Sequence, residues 1–400
     1  MAFTAALKFR GGALALLPLL LFQVFPVSSA DFFELNDHCP PSFEKLANGT
    51  CELRSLYEFY NSPTGFGGLK TRLPEHQGGY TPQQIDLGRY LFFDPVLSGD
   101  NSQSCASCHQ PDKGFSDGLA RSIGAKGKQL ERSAPSLWNV GFLTSLFWDG
   151  REKDLRAQAR GPLFNEHEMN NSEAQLEQSL NNMADYRRLF VNAFPGIEKI
   201  TTNEITLALA AFQSSLVSLN SRYDRYAHGD ETALTEEEKT GHTVFRSFVT
   251  RCSQCHTPPL FTNQQLAVTA APEPEGKEFD VGAELILGYA QYRGAFKVPG
   301  LRNIDLTAPY MHSGALADLQ AVVTFYNDER GHAVTGEELQ LHWHLVNPDL
   351  GEDEEKALIA FLFSLRDETN KPVTPLHVPS GLPVSFDKPA LTAQNLNRGN

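Results

Sequence analysis

The sequence predicts an all-α fold, and three observations support this. Apolar residues recur at helical spacing behind helix-capping residues, strand-like alternation is scarce, and a Cys-x-x-Cys-His string occurs once in each half of the chain. The chain has 400 residues, 41% hydrophobic and 20% charged, as in a folded globular protein. Its net charge of −14 disfavours nucleic acid and anionic membrane surfaces as partners.

The first thirty residues have the pattern of a secretory signal peptide. Lys8 and Arg10 provide a positive start, 13–27 is a short apolar run, and Ser-Ser-Ala at 28–30 suits cleavage. A membrane anchor is the alternative, which the prolines in the run disfavour. Since no later stretch is long and apolar enough to span a bilayer, we expect an exported, periplasmic protein with residues 1–30 removed.

An N-terminal extension is expected over 31–79, with a local disulfide between Cys39 and Cys51. Both cysteines lie in a loop-like stretch rich in proline, asparagine and glycine. Disulfides persist in the oxidising compartment that export implies, whereas exposed free thiols do not. Two idle thiols are the alternative.

Helix signals then fill two halves, predicted as domains at 80–234 and 235–368. Thr81 is a cap residue followed by proline and then by Gln84, although Gly88 weakens this helix. Further helices are predicted after the cap Ser172, over 202–219, after the cap Thr235 and over 352–365. The Pro-rich tail at 369–400 is expected to be draped or extended.

Two strings carry the chemistry: Cys105-Ala-Ser-Cys108-His109 and Cys252-Ser-Gln-Cys255-His256. They match the c-type haem attachment motif, in which two thiols add to the haem vinyl groups and the adjacent histidine is the proximal iron ligand. A zinc site would not explain the histidine after each pair, and a thioredoxin-like motif needs none. We therefore predict two covalently bound c-type haems in two cytochrome c-like domains that pack against each other.

Two haems permit either an electron carrier or an enzyme. A carrier has both irons ligated on both faces, whereas a haem enzyme leaves one iron open to peroxide or oxygen. The residues by themselves leave the distal positions open among the remaining histidines and methionines.

Further strings follow the two motifs in a recognisable order: Lys113-Gly-Phe-Ser-Asp117, Ala134-Pro-Ser-Leu137, Phe147-Trp-Asp-Gly-Arg151, Gln158-Ala-Arg-Gly-Pro162, Glu166-His-Glu-Met169, Lys297-Val-Pro-Gly-Leu-Arg-Asn303, Thr307-Ala-Pro-Tyr-Met-His312 and Phe325-Tyr-Asn327. Over about 80–368 the chain thereby resembles the bacterial di-haem cytochrome c peroxidases and the MauG-type di-haem enzymes. The block at 51–57 and the tail resemble the narrower MbnH-like and CorB-like branch, which is associated with copper-binding partner proteins.

The resemblance implies a division of labour between the haems. The haem on His109 is the peroxide site, the haem on His256 is a six-coordinate electron relay, and Trp148 lies between them. Tyr326 stands where the cytochrome c peroxidases place methionine and MauG-type enzymes place tyrosine, so it is the expected distal ligand of the second iron. Met311 is the rival ligand. A phenolate oxygen favours ferric and higher states, which suits storage of oxidising equivalents.

The same resemblance assigns the peroxide pocket. Glu168 is the distal acid, which can move a proton between the two peroxide oxygens. Gln158 and Pro162 hydrogen-bond and shape the pocket. Glu166 and His167 are expected in a solvated turn, with His167 as the alternative distal group. Relatives that need reductive activation carry a distal histidine where this chain has Ala125, so we expect an open first iron and no activation step.

Two further positions depart from the pattern of the relatives. A calcium ion is expected between the haem domains, with Thr307 and Pro309 as carbonyl ligands, but Ser133 stands where asparagine is usual. A hydroxyl or bridging water can replace the amide for a hard cation, with weaker binding. Arg251 precedes the second motif where some MauG-type enzymes have a tryptophan that passes electrons out.

We therefore expect a peroxide-dependent di-haem oxidase that withdraws electrons from a partner copper-binding protein. The resemblance implies a tryptophan of that partner, oxidised to kynurenine, with the oxidising equivalents held on both haems. The alternative is a periplasmic cytochrome c peroxidase that reduces hydrogen peroxide with electrons from a small cytochrome or cupredoxin. A pure electron-transfer cytochrome is the third hypothesis.

Overall fold

Helices make up most of the regular structure in the computed structural model, which describes Met1 and residues 33–54, 73–328, 333–367, 369–384 and 386. The helices are α1 Pro82–Phe93, α2 Leu155–Phe164, α3 Glu173–Asn182, α4 Ala184–Ala193, α5 Thr202–Ser214, α6 Arg222–Ala227, α7 Glu236–Arg246, α8 Cys252–Cys255, α9 Glu284–Leu287, α10 Leu319–Asn327 and α11 Glu352–Phe363. None of the helices in these ranges is long and apolar enough to cross a bilayer.

Strands in the described ranges are confined to two short antiparallel pairs. They are β1 Phe43–Lys45 with β2 Cys51–Leu53, and β3 Leu266–Val268 with β4 Ala295–Lys297. The mostly helical prediction is therefore confirmed, with these hairpins as additions. Several predictions fall on residues outside the described ranges: 2–30 of the signal peptide, 31–32 and 55–72 of the N-terminal extension with positions 55–57 of the 51–57 block, and 385 and 387–400 of the tail.

A glycine sets the closest helix crossing of the N-terminal half. A Cβ atom added at Gly88 of α1 would lie 1.8 Å from the carbonyl oxygen of Ala208 in α5. The backbones can therefore approach only because Gly88 has no side chain. Phe92 and Phe212, one turn further along each helix, pack with ring centroids 5.0 Å apart. The residue that weakened the prediction of α1 is the residue that lets it pack.

The C-terminal half repeats this arrangement. A Cβ atom at Gly241 of α7 would lie 1.8 Å from the carbonyl oxygen of Ala357 in α11. Phe245 and Phe361 again follow one turn later, with ring centroids 5.2 Å apart. Each crossing belongs to a separate hydrophobic core, and a cysteine of one haem motif borders each core. The two halves thus bring the two motifs to equivalent packing positions.

The predicted helix over 202–219 is wrong at its C-terminal end. Helix α5 stops at Ser214, although the apolar residues continue. Asn139 explains the difference, because its backbone N–H donates to the Leu216 carbonyl at 2.7 Å. Its side chain exchanges two further bonds with the Ser218 backbone, at 2.9 and 3.0 Å. These bonds replace helical ones, so the buried segment runs extended.

The expected disulfide is confirmed, because Cys39 and Cys51 are bonded with their Cα atoms 5.7 Å apart. The hypothesis of idle thiols is therefore wrong. At the other end of the chain, Val378 is buried in the core of the N-terminal half. The Ser380 hydroxyl donates to Asp94 at 2.7 Å, so this part of the tail lies against α1. The domain boundaries stay predictions.

Candidate active site

Each motif histidine is held by a backbone carbonyl. His109 Nδ1 lies 2.8 Å from the Phe115 oxygen, and His256 Nδ1 lies 3.0 Å from the Phe261 oxygen and 3.1 Å from the Pro299 oxygen. A carbonyl only accepts, so Nδ1 carries the proton and Nε2 is the nitrogen available to iron. Phe115 and Phe261 both have left-handed backbones, with φ of 60° and 58°. Both sites therefore fit a proximal haem ligand.

The second motif opens onto a cavity of about 290 Å³. Cys252, Cys255, His256, Tyr326 and Met311 all line it, so the structure brings both rival distal ligands to one place. Burial raises the pKa of Tyr326, and the neighbouring Cys255 and Cys252 thiols raise it further. A phenolate there needs a cation beside it, which a haem iron provides. The choice between Tyr326 and Met311 stays a prediction.

A lysine that sequence reasoning did not single out supports the haem assignment. Lys297 of β4 lines the cavity, is 8% exposed, and has a pKa lowered by burial to about 8. A buried ammonium needs an anionic partner. The carboxylates of haem propionates have the right charge, so the cavity suits this cofactor. The signal in the sequence that could have found it is a lysine at the end of a short, otherwise apolar strand.

Trp148 lies at the edge of the second cavity. Its indole N–H donates to the Ser133 carbonyl at 2.9 Å, and its own carbonyl accepts from the Lys297 N–H at 2.7 Å. It also lines the second cavity. These contacts fix the ring at the edge of the second site, as the hypothesis of an electron relay requires.

Trp138 is a second indole at this boundary, and sequence reasoning missed it. It packs edge-to-face on Phe115, whose carbonyl holds His109, with ring centroids 5.1 Å apart. It also lines the second cavity. Among the described residues, its buried indole N–H has no hydrogen-bond partner. Trp138 therefore contacts the proximal side of the first site and offers a donor to the second.

Two loops meet at Glu168, the expected distal acid. The backbone N–H of Ala125 lies 3.0 Å from the carbonyl oxygens of both His167 and Glu168. A Cβ atom at Gly124 would lie 1.9 Å from the His167 carbonyl oxygen, so glycine is needed for this contact. Position 125 therefore lies against Glu168. The structure thus pairs the residue that replaces the relatives' distal histidine with the expected distal acid.

Glu168 has the environment of a proton-transfer group. Burial raises its pKa, while the bond from Asn165 Nδ2 at 2.8 Å and the charges of Arg151 and His167 lower it. By contrast, the Glu166 side chain is 80% exposed, and His167 Nε2 lies 2.9 Å from Lys128 Nζ. Of the two neighbouring carboxylates, Glu168 is the one that is withdrawn from solvent, and its pKa is raised, as suits a group that exchanges protons.

Gln158 and Pro162 lie four residues apart on α2, which places them on one side of the helix. Pro162 has no N–H, so the Gln158 carbonyl loses its helical donor. The Pro162 carbonyl accepts from the Met169 N–H at 3.0 Å, which ties the turn carrying Glu168 to the end of α2. The structure thus joins Pro162 to this turn and places Gln158 one helical turn earlier.

The expected calcium ligands also lie near the second site. Ser133, Thr307 and Pro309 all line its cavity. The Ser133 hydroxyl donates to the Met311 carbonyl at 2.9 Å. Within the described ranges, no group of three or more histidine, cysteine or acidic residues is arranged to hold a metal. A cation here would therefore depend on carbonyl and hydroxyl oxygens, which suit calcium.

Comparisons with known proteins agree with this geometry. The sequence profile of the di-haem cytochrome c peroxidase family matches residues 82–232. The methylamine utilization protein MauG of Methylorubrum extorquens is 37% identical over 290 residues, covering 72% of this chain and 79% of that protein. The cytochrome c551 peroxidase of Nitrosomonas europaea is 35% identical over 304 residues, covering 75% and 86%.

A solved structure shows the same fold. The crystal structure of a MauG-like protein associated with microbial copper homeostasis superimposes with a TM-score of 0.68. It is 33% identical in sequence, and the match covers 78% of this chain and 97% of that one. The similarity therefore extends over both motif-bearing halves.

Proposed function

Because the chain belongs to the di-haem cytochrome c peroxidase family, whose members are peroxide-using oxidoreductases, we propose that it oxidises a partner protein with hydrogen peroxide. When bound through the two motifs, the haems supply peroxide reduction and one-electron transfer. The observation that carries the proposal is the contact of Ala125 with Glu168. Glu168, the proposed proton-transfer group, therefore has alanine rather than an imidazole beside it at position 125.

The residues of the first site handle the protons. Glu168 accepts the proton that peroxide loses and returns it to the departing oxygen. The direction of its pKa shift suits this exchange, since burial makes the carboxylate a stronger proton acceptor than an exposed glutamate. Pro162 fixes the turn that carries Glu168, and Gln158 lies on the same side of α2 as a hydrogen-bonding neighbour.

The residues between the sites handle the electrons. Trp148 and Trp138 both line the second cavity, and Trp138 also packs against the residue that holds His109. Their rings shorten the distance that an electron travels between the sites. Tyr326 would hold the second iron, because an anionic oxygen stabilises oxidised states better than the thioether of Met311 does.

The proposed substrate is a tryptophan of a copper-binding partner, converted to kynurenine. Similarity to a MauG-like protein associated with copper homeostasis supports this choice. The conversion removes four electrons and releases one carbon as formate, so two peroxides are reduced per tryptophan. Mass spectrometry of a copper-binding partner after incubation with the holoenzyme and peroxide tests it. An unchanged mass at every partner tryptophan would rule out this substrate.

A cytochrome c peroxidase is the second candidate, since cytochrome c551 peroxidases are also among the relatives. In that case the electrons come from a small cytochrome or cupredoxin and water is the product. Steady-state turnover of peroxide with reduced cytochrome c distinguishes the two. Fast, saturable turnover would favour the peroxidase, and slow turnover with an oxidised partner would favour the first proposal.

The compartment, domains and calcium site complete the proposal. The Cys39–Cys51 disulfide supports export to an oxidising compartment such as the periplasm, after removal of residues 1–30. We propose haem domains at 80–234 and 235–368, and one calcium ion held by Thr307, Pro309 and Ser133. Elemental analysis of the holoenzyme before and after chelation tests the calcium ion. A holoenzyme that contains no calcium before chelation would rule this site out.

A further inference from the structure

An exposed tryptophan lies beside the second cavity. Trp343 is 73% exposed, although large aromatic side chains are usually more buried. Its ring packs on His344 with centroids 3.5 Å apart and lies 6.1 Å from His342. At this exposure, core packing does not account for a tryptophan at this position.

The two histidines connect Trp343 to the second site. His342 and His344 line the same cavity as His256 and Tyr326. In the part of the chain that the structure describes, the buried Nδ1 of His344 has no hydrogen-bond partner, so it is available to a group within the cavity. A ring packed on His344 is therefore one side chain away from the second haem site and also open to solvent.

Further exposed apolar residues lie near the same motif. Phe248 is 88% exposed and Val249 is 56% exposed, just before the second haem motif. Arg251 contacts the first of them, because its Nε donates to the Phe248 carbonyl at 3.2 Å. Its charge also contributes, after burial and His342, to the lowered pKa of His344. Exposed apolar side chains with aromatic members near a cofactor are typical of a protein-docking surface.

We propose that Trp343 is the outermost electron relay between the second haem site and a docked protein donor with an apolar contact face. The inference rests on the proposed function and adds the exit route, which Arg251 does not provide. Hydrogen peroxide takes up two electrons and two protons and yields two waters. In each transfer the Trp343 indole gives one electron inward to the second site and regains one electron from the donor. Trp343 therefore acts twice per peroxide and is unchanged at the end.

Peroxide treatment of the holoenzyme without a donor tests the relay, because an indole that is not reduced again is itself oxidised. Peptide mapping by mass spectrometry should find added oxygen at Trp343. Tyr289 is the matched control, since it is 65% exposed and redox-capable but absent from the cavity lining. We expect at least fivefold less oxidation at Tyr289.

Substitution gives the second readout, with reduced small cytochrome c as the probe donor. Trp343→Phe should leave the optical response of the haems to peroxide unchanged and slow oxidation of the donor at least tenfold. Tyr289→Phe should change neither. If cytochrome c is not oxidised even by the unsubstituted protein, the peptide map decides.

Two results would overturn the relay and leave the peroxide chemistry standing: unmodified Trp343 after the haems have responded to peroxide, or donor oxidation by Trp343→Phe at the original rate. Haems that do not respond to peroxide at all would instead remove the proposed function and the relay together.

Discussion

Replacing Glu168 by glutamine tests the proposed proton transfer. Glutamine keeps the shape of the side chain, and its oxygen still accepts the bond from Asn165, which is 2.8 Å long in the structure. What it loses is the ability to take up and return a proton. Positioned acid–base groups contribute a factor of about 10²–10⁴ in rate, or about 3–5 kcal/mol of barrier. We expect the second-order rate constant of the holoenzyme with peroxide, measured by stopped-flow absorbance, to fall by that factor.

The pH dependence follows from the direction of the pKa shift. Burial raises the pKa of Glu168, so it becomes protonated, and unable to accept a proton, at a higher pH than an ordinary glutamate. The peroxide rate should therefore fall on acidification over a window above the usual glutamate range, and Glu168→Gln should lack this limb. The raised pKa also means that stability decreases as the pH rises through it. The variant should accordingly lose no stability at neutral pH.

Glu166→Gln is the matched control, because it removes a carboxylate two residues away whose side chain is 80% exposed. Its rate and pH profile should equal those of the unsubstituted protein. The assignment of Glu168 would be refuted if Glu168→Gln reacted within about threefold of the unsubstituted rate and kept the acidic limb.

Three further predictions concern the stability of the fold and the open coordination position proposed for the iron on His109. Gly88→Ala should lower the free energy of unfolding by about 3 kcal/mol in urea titrations, because the added methyl group overlaps a backbone carbonyl of α5. Arg132→Leu should lower it by about 3 kcal/mol, because the side chain pairs with Asp149 and Asp280, each at 2.6 Å. Ala125→His should supply a distal imidazole, remove the resting high-spin signal in electron paramagnetic resonance, and make the peroxide reaction dependent on prior reduction.

Each of these predictions has its own control or contrary outcome. Gly351→Ala serves as the control for Gly88, since a Cβ atom at Gly351 meets only Glu354 at 3.9 Å. If Arg132→Leu has the same free energy of unfolding as the unsubstituted protein, the ion pairs between 132, 149 and 280 contribute little to stability. An Ala125→His protein that still reacts with peroxide at rest would separate position 125 from the iron.

Local signals in the sequence predicted the parts of the fold that depend on near neighbours. Thr81 and Thr235 form capping boxes at the predicted helix starts, since a cap is complete within four residues. The Cys39–Cys51 disulfide closes a short loop and could likewise be predicted from the sequence. The haem motifs are also local, because both thiols and the histidine lie within five residues.

Features that depend on contacts between residues far apart in the chain could not be predicted from local sequence signals. Gly88 is needed because the carbonyl of a residue 120 positions away packs against it. Helix α5 ends early because its following segment is hydrogen-bonded to Asn139. Trp138 belongs to none of the strings that carry the resemblance, and Lys297 begins one of them without an assigned role, so only the folded chain shows that both line one cavity. Whether Tyr326 or Met311 binds iron depends on the cofactor as well as on the chain, so it stays a prediction.

Electron paramagnetic resonance of the oxidised holoenzyme as isolated tests the central claim, which is that the iron on His109 is open while Tyr326 caps the iron on His256. The account predicts one high-spin and one low-spin ferric signal, with only the low-spin signal altered by Tyr326→Phe. Two low-spin signals at rest would contradict it, since an iron already ligated on both faces has no position for peroxide.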